Sequence, residues 1–111
     1  MENSSLSQEV TQLHADLCSA LADPRRILLL YTLSERTYTV NDLAERLGIS
    51  QPATSRHLKL LRERGLVTAI RQGANVEYSL NDPRLIEALD LLRTVLRDRI
   101  AYRASLIETS E

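Results

Sequence analysis

The chain has no tryptophan or phenylalanine and only four tyrosines, so aliphatic side chains carry almost all of its 43% hydrophobic content. A core of that kind suits helices packed on helices. Cysteine occurs once, at Cys18, which excludes an internal disulfide. Glycine and proline occur three times each, which is too few for a flexible linker, and they fall between periodic segments as punctuation. No apolar run approaches the roughly 20 residues needed to cross a bilayer. The opening MENSSLSQEV has neither the basic region nor the apolar stretch of a signal peptide. A soluble, cytoplasmic chain with no membrane role is expected. No glycine-rich phosphate loop, nucleophile elbow or histidine-carboxylate cluster is visible, so the chain does not read as an enzyme. At 111 residues a single domain spanning 1–111 is expected, able to bury roughly two thirds of its unfolded surface without covalent staples.

The net charge of -1 is unevenly spread. Between Ser50 and Asn75, Arg56, Lys59, Arg62, Arg64 and Arg71 stand against Glu63 alone, and the remainder of the chain is correspondingly acidic. One basic segment in an acidic domain suits a protein that meets a phosphate backbone with one face.

Hydrophobic spacing and capping residues divide the chain into elements. Leu6, Val10, Leu13, Leu17 and Leu21 recur at helical spacing and predict a first helix from about Leu6 to Ser19. Asp23-Pro24 restarts the chain as a second helix, ending near Glu35. Thr39 and Asp42 form a T-x-x-D box that opens a third helix, stopped by Gly48. Ser50 caps a fourth helix, with Pro52 in its first turn, running to Arg64 before Gly65. Two helices joined at Gly48 by a three-residue turn fit a helix-turn-helix. Strands over Leu66 to Arg71 and Val76 to Leu80, joined by Gln72 to Asn75, predict a β-hairpin. Asp82-Pro83 then opens a last helix that continues to about Ala104 before a polar tail. The predicted fold is mainly α with a small β-hairpin, in the order of four helices, two strands and a fifth helix.

On a helical wheel the fourth helix has two faces. Gln51, Pro52, Ser55, Arg56, Lys59, Arg62 and Glu63 form a polar arc. Ala53, Thr54, His57, Leu58, Leu60 and Leu61 form the other, with Thr54 and Leu58 near the boundary. Glutamine can bond adenine bidentately, arginine can bond guanine, and serine or threonine can reach either base or phosphate. Gln51 and Ser55 lie in the half of such a helix that meets base edges. Arg62 and Arg64 lie further back, where phosphates are nearer. Arg71 and Gln72 stand at the hairpin tip, suited to the backbone or the minor groove. A solvated amphipathic helix and a solubilising turn are the alternatives that need no partner. A winged-helix module that binds protein through the same arc is a further alternative.

The last helix carries Leu85, Ile86, Ala88, Leu89, Leu91, Leu92, Val95, Leu96 and Ile100. They cover well over half the wheel, against the stripe of about 100° that one core requires. This helix should bury a second face, which together with Leu6, Val10, Leu13 and Leu17 most simply meets a second copy. The expected interface is built on Leu6, Val10, Leu13, Leu17, Leu85, Leu89, Leu92 and Leu96. A twofold dimer would set two recognition helices on a pseudo-palindromic duplex.

The segments ALADPRRILLLYTL, TVNDLAERLGISQPATSRHLKLLRERGLV and RQGANVEYSL resemble the ArsR/SmtB family of winged helix-turn-helix regulators, from about Leu13 to Leu92. The S-x-x-x-S-R-H-L-K-x-L-x-x-x-G-L-V pattern, here Ser50 or Gln51 through Val67, is specific in that order and context, with Gln51 standing at the place of the first serine. The resemblance implies a dimer through the first and last helices. It further implies repression by operator binding, and release by an inducer. It implies DNA contacts from Gln51, Thr54, Ser55 and Arg56, with Arg71 on the wing. His57 matches a common family residue, and its place on the apolar arc gives it a packing role. The family's sensing sites do not carry over. Where metal sensors have paired cysteines this chain has Val40-Asn41-Asp42-Leu43, its last helix has no histidine, and sulfur sensors use two cysteines.

One constellation is left. His14 and Cys18 lie one helical turn apart beside the leucine stripe, and two copies together would form a Cys2His2 set of zinc type. A single thiol could instead be oxidised or bridge to its partner. The plain alternative is a half-buried thiol beside a surface imidazole. No cofactor is implied beyond a metal ion or thiol modification at these two residues.

Overall fold

The computed structural model describes residues 2–109, with side chains described for 5–108. In chain order the elements are α1 (Glu2–Glu9), a π-helical turn (Val10–His14), α2 (Ala15–Ala20), α3 (Pro24–Leu33), β1 (Tyr38–Thr39), α4 (Val40–Leu47), α5 (Gln51–Glu63), β2 (Val67–Gln72), β3 (Asn75–Leu80) and α6 (Arg84–Thr109). The mainly helical architecture with a hairpin is as expected, with three departures.

First, Tyr38 and Thr39 pair antiparallel with Tyr78 and Glu77, so the hairpin belongs to a three-stranded sheet of order β1-β3-β2. A two-residue strand is too short for alternation to mark it in a sequence. Second, the N-terminal helix is not continuous, because the Ala15 N–H donates to the Val10 carbonyl across a widened turn. A π turn holds more residues than an α turn, so the face beyond it rotates about the axis. The leucine stripe therefore splits. Leu6, Val10 and Leu13 are exposed, while Leu17 and Leu21 are half-buried and Ala20 is fully buried. Third, α6 runs on through Leu106 and Ile107, so the expected polar tail after Ala104 is helical instead.

Four helix starts, those of α3, α4, α5 and α6, use the caps read from the sequence. The Asp23 carboxylate accepts from the Arg25 N–H at 2.9 Å, the Thr39 hydroxyl oxygen from Asp42 at 3.2 Å, and the Ser50 hydroxyl oxygen from Ala53 at 3.2 Å. Asp82 accepts from the Arg84 N–H at 2.9 Å. Each bond satisfies an orphan donor of the first turn, typically worth about 1 kcal/mol.

The turn between α4 and α5 sets the direction in which α5 leaves α4. Gly48 has φ 67 and ψ 32, in the left-handed region. Its N–H donates to the Glu45 carbonyl at 3.3 Å and the next N–H, of Ile49, to Ala44 at 3.1 Å. This is a Schellman closure. A Cβ on Gly48 would meet nothing within 4 Å, so the penalty for adding one is purely conformational. Gly48→Ala is therefore expected to lower stability by about 1 kcal/mol and Gly48→Asn by less. Urea titration of the two variants checks this order.

The residues up to Asn81 form one compact unit, in which α3 packs on α4, α5 and β3. Leu29, Leu30, Leu43, Leu58 and Leu61 are fully buried there, each worth about 1.5–3 kcal/mol of burial. The residues from Asp82 onward form a second unit. That unit is a single helix and encloses no core of its own.

Candidate nucleic-acid interface

The fourth predicted helix is α5, and its two faces divide as periodicity dictates. Leu58 and Leu61 are fully buried, and Ala53, His57 and Leu60 are half-buried. Gln51, Ser55, Arg56, Lys59 and Arg62 are all exposed on one side, with Arg64 beyond the last turn. Thr54 is a correction. It is 0% exposed, and its hydroxyl donates to the Ser50 carbonyl at 2.8 Å. The hydroxyl is satisfied inside the helix's own first turn, so Thr54 is a packing residue and leaves the surface set.

The exposed cations of this surface lack carboxylate partners. Among the described residues no ion pair is formed by Arg56, Lys59, Arg62, Arg64 or Arg71, whereas Arg25, Arg46, Arg84 and Arg93 each hold a carboxylate within 4.0 Å. A row of uncompensated positive charge on one helix attracts an external polyanion.

The hairpin extends the surface. Gln72 pairs with Asn75, leaving Gly73 and Ala74 as a two-residue turn. Gly73 has φ 64 and no other residue of the turn has positive φ, which is the requirement of the first central position in a type II′ turn. Alternation then separates the two predicted tip contacts. Arg71 lies opposite Val76, on the face that continues through Ala69 to buried Val67. Gln72 lies on the other face with Ile70, which is 49% exposed. The two side chains therefore leave the wing in opposite directions. The base of the wing is tied down by Asn81, whose side-chain amide donates to the Gly65 carbonyl at 2.7 Å and whose carbonyl accepts from Thr68.

Of the residues expected at a dimer seam, Leu6 and Leu13 on the N-terminal segment are 59% and 62% exposed, and Leu92 and Leu96 on α6 are 56% and 60% exposed. Leu89 is 5% exposed. Leu17 and Leu85 are half-buried. His14 and Cys18 are both exposed. Among the described residues no group of three or more His, Cys, Asp or Glu is placed to hold a metal ion.

Sequence reasoning missed the surroundings of His57. Nη1 of Arg26 donates to its Nδ1 at 3.3 Å, and its Nε2 lies 4.0 Å from a carboxylate oxygen of Asp23. Burial pushes the His57 pKa below the ordinary histidine value, and the neighbouring arginines act in the same direction against Asp23. No local signal links residues 31 positions apart in sequence.

Two helices closed on a left-handed glycine, with the second exposed along its polar face and followed by a paired wing, define a winged helix-turn-helix protein. Residues 23–69 match the bacterial regulatory proteins of the arsR family. The chain is 40% identical over 84 residues to the HTH-type transcriptional regulator NmtR of Mycobacterium tuberculosis, covering 76% of this chain and 69% of that one. The crystal structure of NolR from Sinorhizobium fredii superposes with a TM-score of 0.72 at 32% identity, covering 80% of this chain and 89% of that one. A homodimeric winged helix-turn-helix DNA-binding domain from Mycobacterium bovis gives a TM-score of 0.73 at 25% identity, covering 90% and 89% of the two chains. The chain belongs to the ArsR family of bacterial regulatory proteins. It is not an enzyme.

Proposed function

We propose that the protein is a homodimeric, sequence-specific transcriptional repressor that binds a pseudo-palindromic operator in the cytoplasm. The observation that carries this reading is the unpaired polar face of α5, made of Gln51, Ser55, Arg56, Lys59 and Arg62, on the second helix of a helix-turn-helix. Gln51, Ser55 and Arg56 read base edges in the major groove, and Lys59 and Arg62 hold phosphates. Arg71 reaches the backbone or minor groove from the wing, and Gln72 projects from the wing's other face. The relatives named as repressors support the sign of regulation, and the homodimeric mycobacterial domain supports the twofold assembly. The exposed leucines of the N-terminal segment and of α6 supply the seam. An inducer or redox signal releases the dimer from DNA, and His14 and Cys18 are exposed groups that a metal ion or oxidant could meet. No described helix is long and apolar enough to cross a membrane.

Footprinting on a duplex from the protein's own upstream region tests this reading. Two equivalent protected major-groove segments about one helical turn apart are expected. A single segment contradicts the twofold arrangement, and no protection contradicts DNA binding.

Thr54 separates packing from reading. Thr54→Val keeps the shape and removes only a hydroxyl whose acceptor, the Ser50 carbonyl, also receives the Thr54 N–H at 2.9 Å. The expected outcome is a stability loss of about 1 kcal/mol with duplex affinity unchanged at a temperature well below unfolding. Calorimetry and anisotropy on the same preparation check both halves.

A further inference from the structure

We propose that Arg26 is a positioning residue for DNA recognition, acting through a neutral His57 to lock α5 onto the end of the N-terminal helix. The guanidinium makes three contacts at once. Nε donates to the Ala20 carbonyl at 2.6 Å, Nη2 to the Ser19 carbonyl at 3.2 Å, and Nη1 to His57 Nδ1 at 3.3 Å. Ser19 and Ala20 end α2, where the Ser19 carbonyl also accepts from the Ala22 N–H at 3.3 Å just past the helix. His57 belongs to α5, two residues after Ser55 and next to Arg56. One side chain thus joins the segment with the exposed leucines to the helix with the exposed polar face.

The chemistry fixes the protonation state. A guanidinium has no acceptor, so the contact at Nδ1 requires the lone pair of that nitrogen and places the imidazole proton on Nε2. Nε2 points toward Asp23, whose carboxyl is held at about 2, first by the side-chain hydrogen bond from Arg25. A second proton must enter at Nδ1. It removes the acceptor and sets an imidazolium against Arg26, with Arg25 and Arg56 as further cations nearby and Asp23 as the opposing anion. The link therefore holds with neutral His57 and breaks on protonation. The sign is opposite to bulk electrostatics, in which added positive charge near α5 would tighten DNA binding.

The proposal rests on the DNA-binding reading, and the test separates the two. Anisotropy with a promoter duplex at constant ionic strength is followed from pH 8 downward for wild type, Arg26→Lys and His57→Gln, with the helical content of each monitored by circular dichroism. Nitrogen-15 NMR of the free protein reports the His57 tautomer. Wild type is expected to show the Nε2–H tautomer and to lose specific affinity about tenfold as the pH falls below about 6.5. Arg26→Lys, which cannot reach all three acceptors, is expected to bind about tenfold more weakly at pH 8. His57→Gln can accept from Arg26 at every pH, so it keeps the pH 8 affinity and loses the acid response. An Nδ1–H tautomer, an acid response that persists in His57→Gln, or unchanged affinity in Arg26→Lys overturns the positioning role. Absence of duplex binding by wild type at pH 8 overturns the DNA reading instead.

Discussion

Leu92→Glu is expected to convert the dimer to monomer and to reduce operator affinity at least a hundredfold, with the helical content of the chain unchanged. Leu92 is 56% exposed in the single chain, so the substitution disturbs no packing within it. In a twofold seam the same position occurs twice. Two lost leucine burials at about 1.5–3 kcal/mol each, before the desolvation of two carboxylates, are enough to raise the dimer dissociation constant about a thousandfold. DNA binding then loses the second half-site. Analytical ultracentrifugation with circular dichroism distinguishes the outcomes. A Leu92→Glu protein that remains dimeric would rule out the α6 seam.

The second large effect is expected at the reading face. Ser55→Ala combined with Arg56→Ala should weaken specific operator binding about a hundredfold while leaving the dimer and its thermal stability intact. Both side chains are exposed and neither forms an ion pair or caps a helix among the described residues. Their loss removes contacts worth about 1–3 kcal/mol per base read, in both half-sites. Binding to an unrelated duplex should fall far less, because Lys59, Arg62 and Arg71 keep their phosphate roles. The ratio of specific to non-specific affinity is thus the decisive quantity. If both affinities fell together, Ser55 and Arg56 would be backbone contacts.

Much of this arrangement was legible because it rests on local chemistry. Asp23, Thr39, Ser50 and Asp82 cap the helices predicted for them, since an N-cap needs only its own side chain and the next turn's N–H groups. Gly48 marks the helix-turn-helix turn for the same reason. What escaped depends on longer-range choices. Thr54 sits at the boundary of the wheel, and only packing decides that its hydroxyl turns back to Ser50. The π turn at Val10–His14 changes backbone hydrogen bonding without altering hydrophobic spacing, so spacing alone shows one stripe where there are two. Which apolar positions of α6 serve a seam could not be told by composition, because a helix apolar over most of its wheel singles out no one face. The opposite directions of Arg71 and Gln72, by contrast, were available from strand alternation alone.

The central claim is that the cationic surface of α5 and the wing exists to hold duplex DNA, and the salt dependence of promoter affinity tests it most directly. With Lys59, Arg62 and Arg71 each meeting a phosphate in both subunits, log Kd against log salt should have a slope of magnitude about 5. Arg62→Ala should lower that magnitude by about 2, one phosphate contact being lost per subunit. Duplex affinity that does not change with salt, or no affinity for any duplex, would contradict the account.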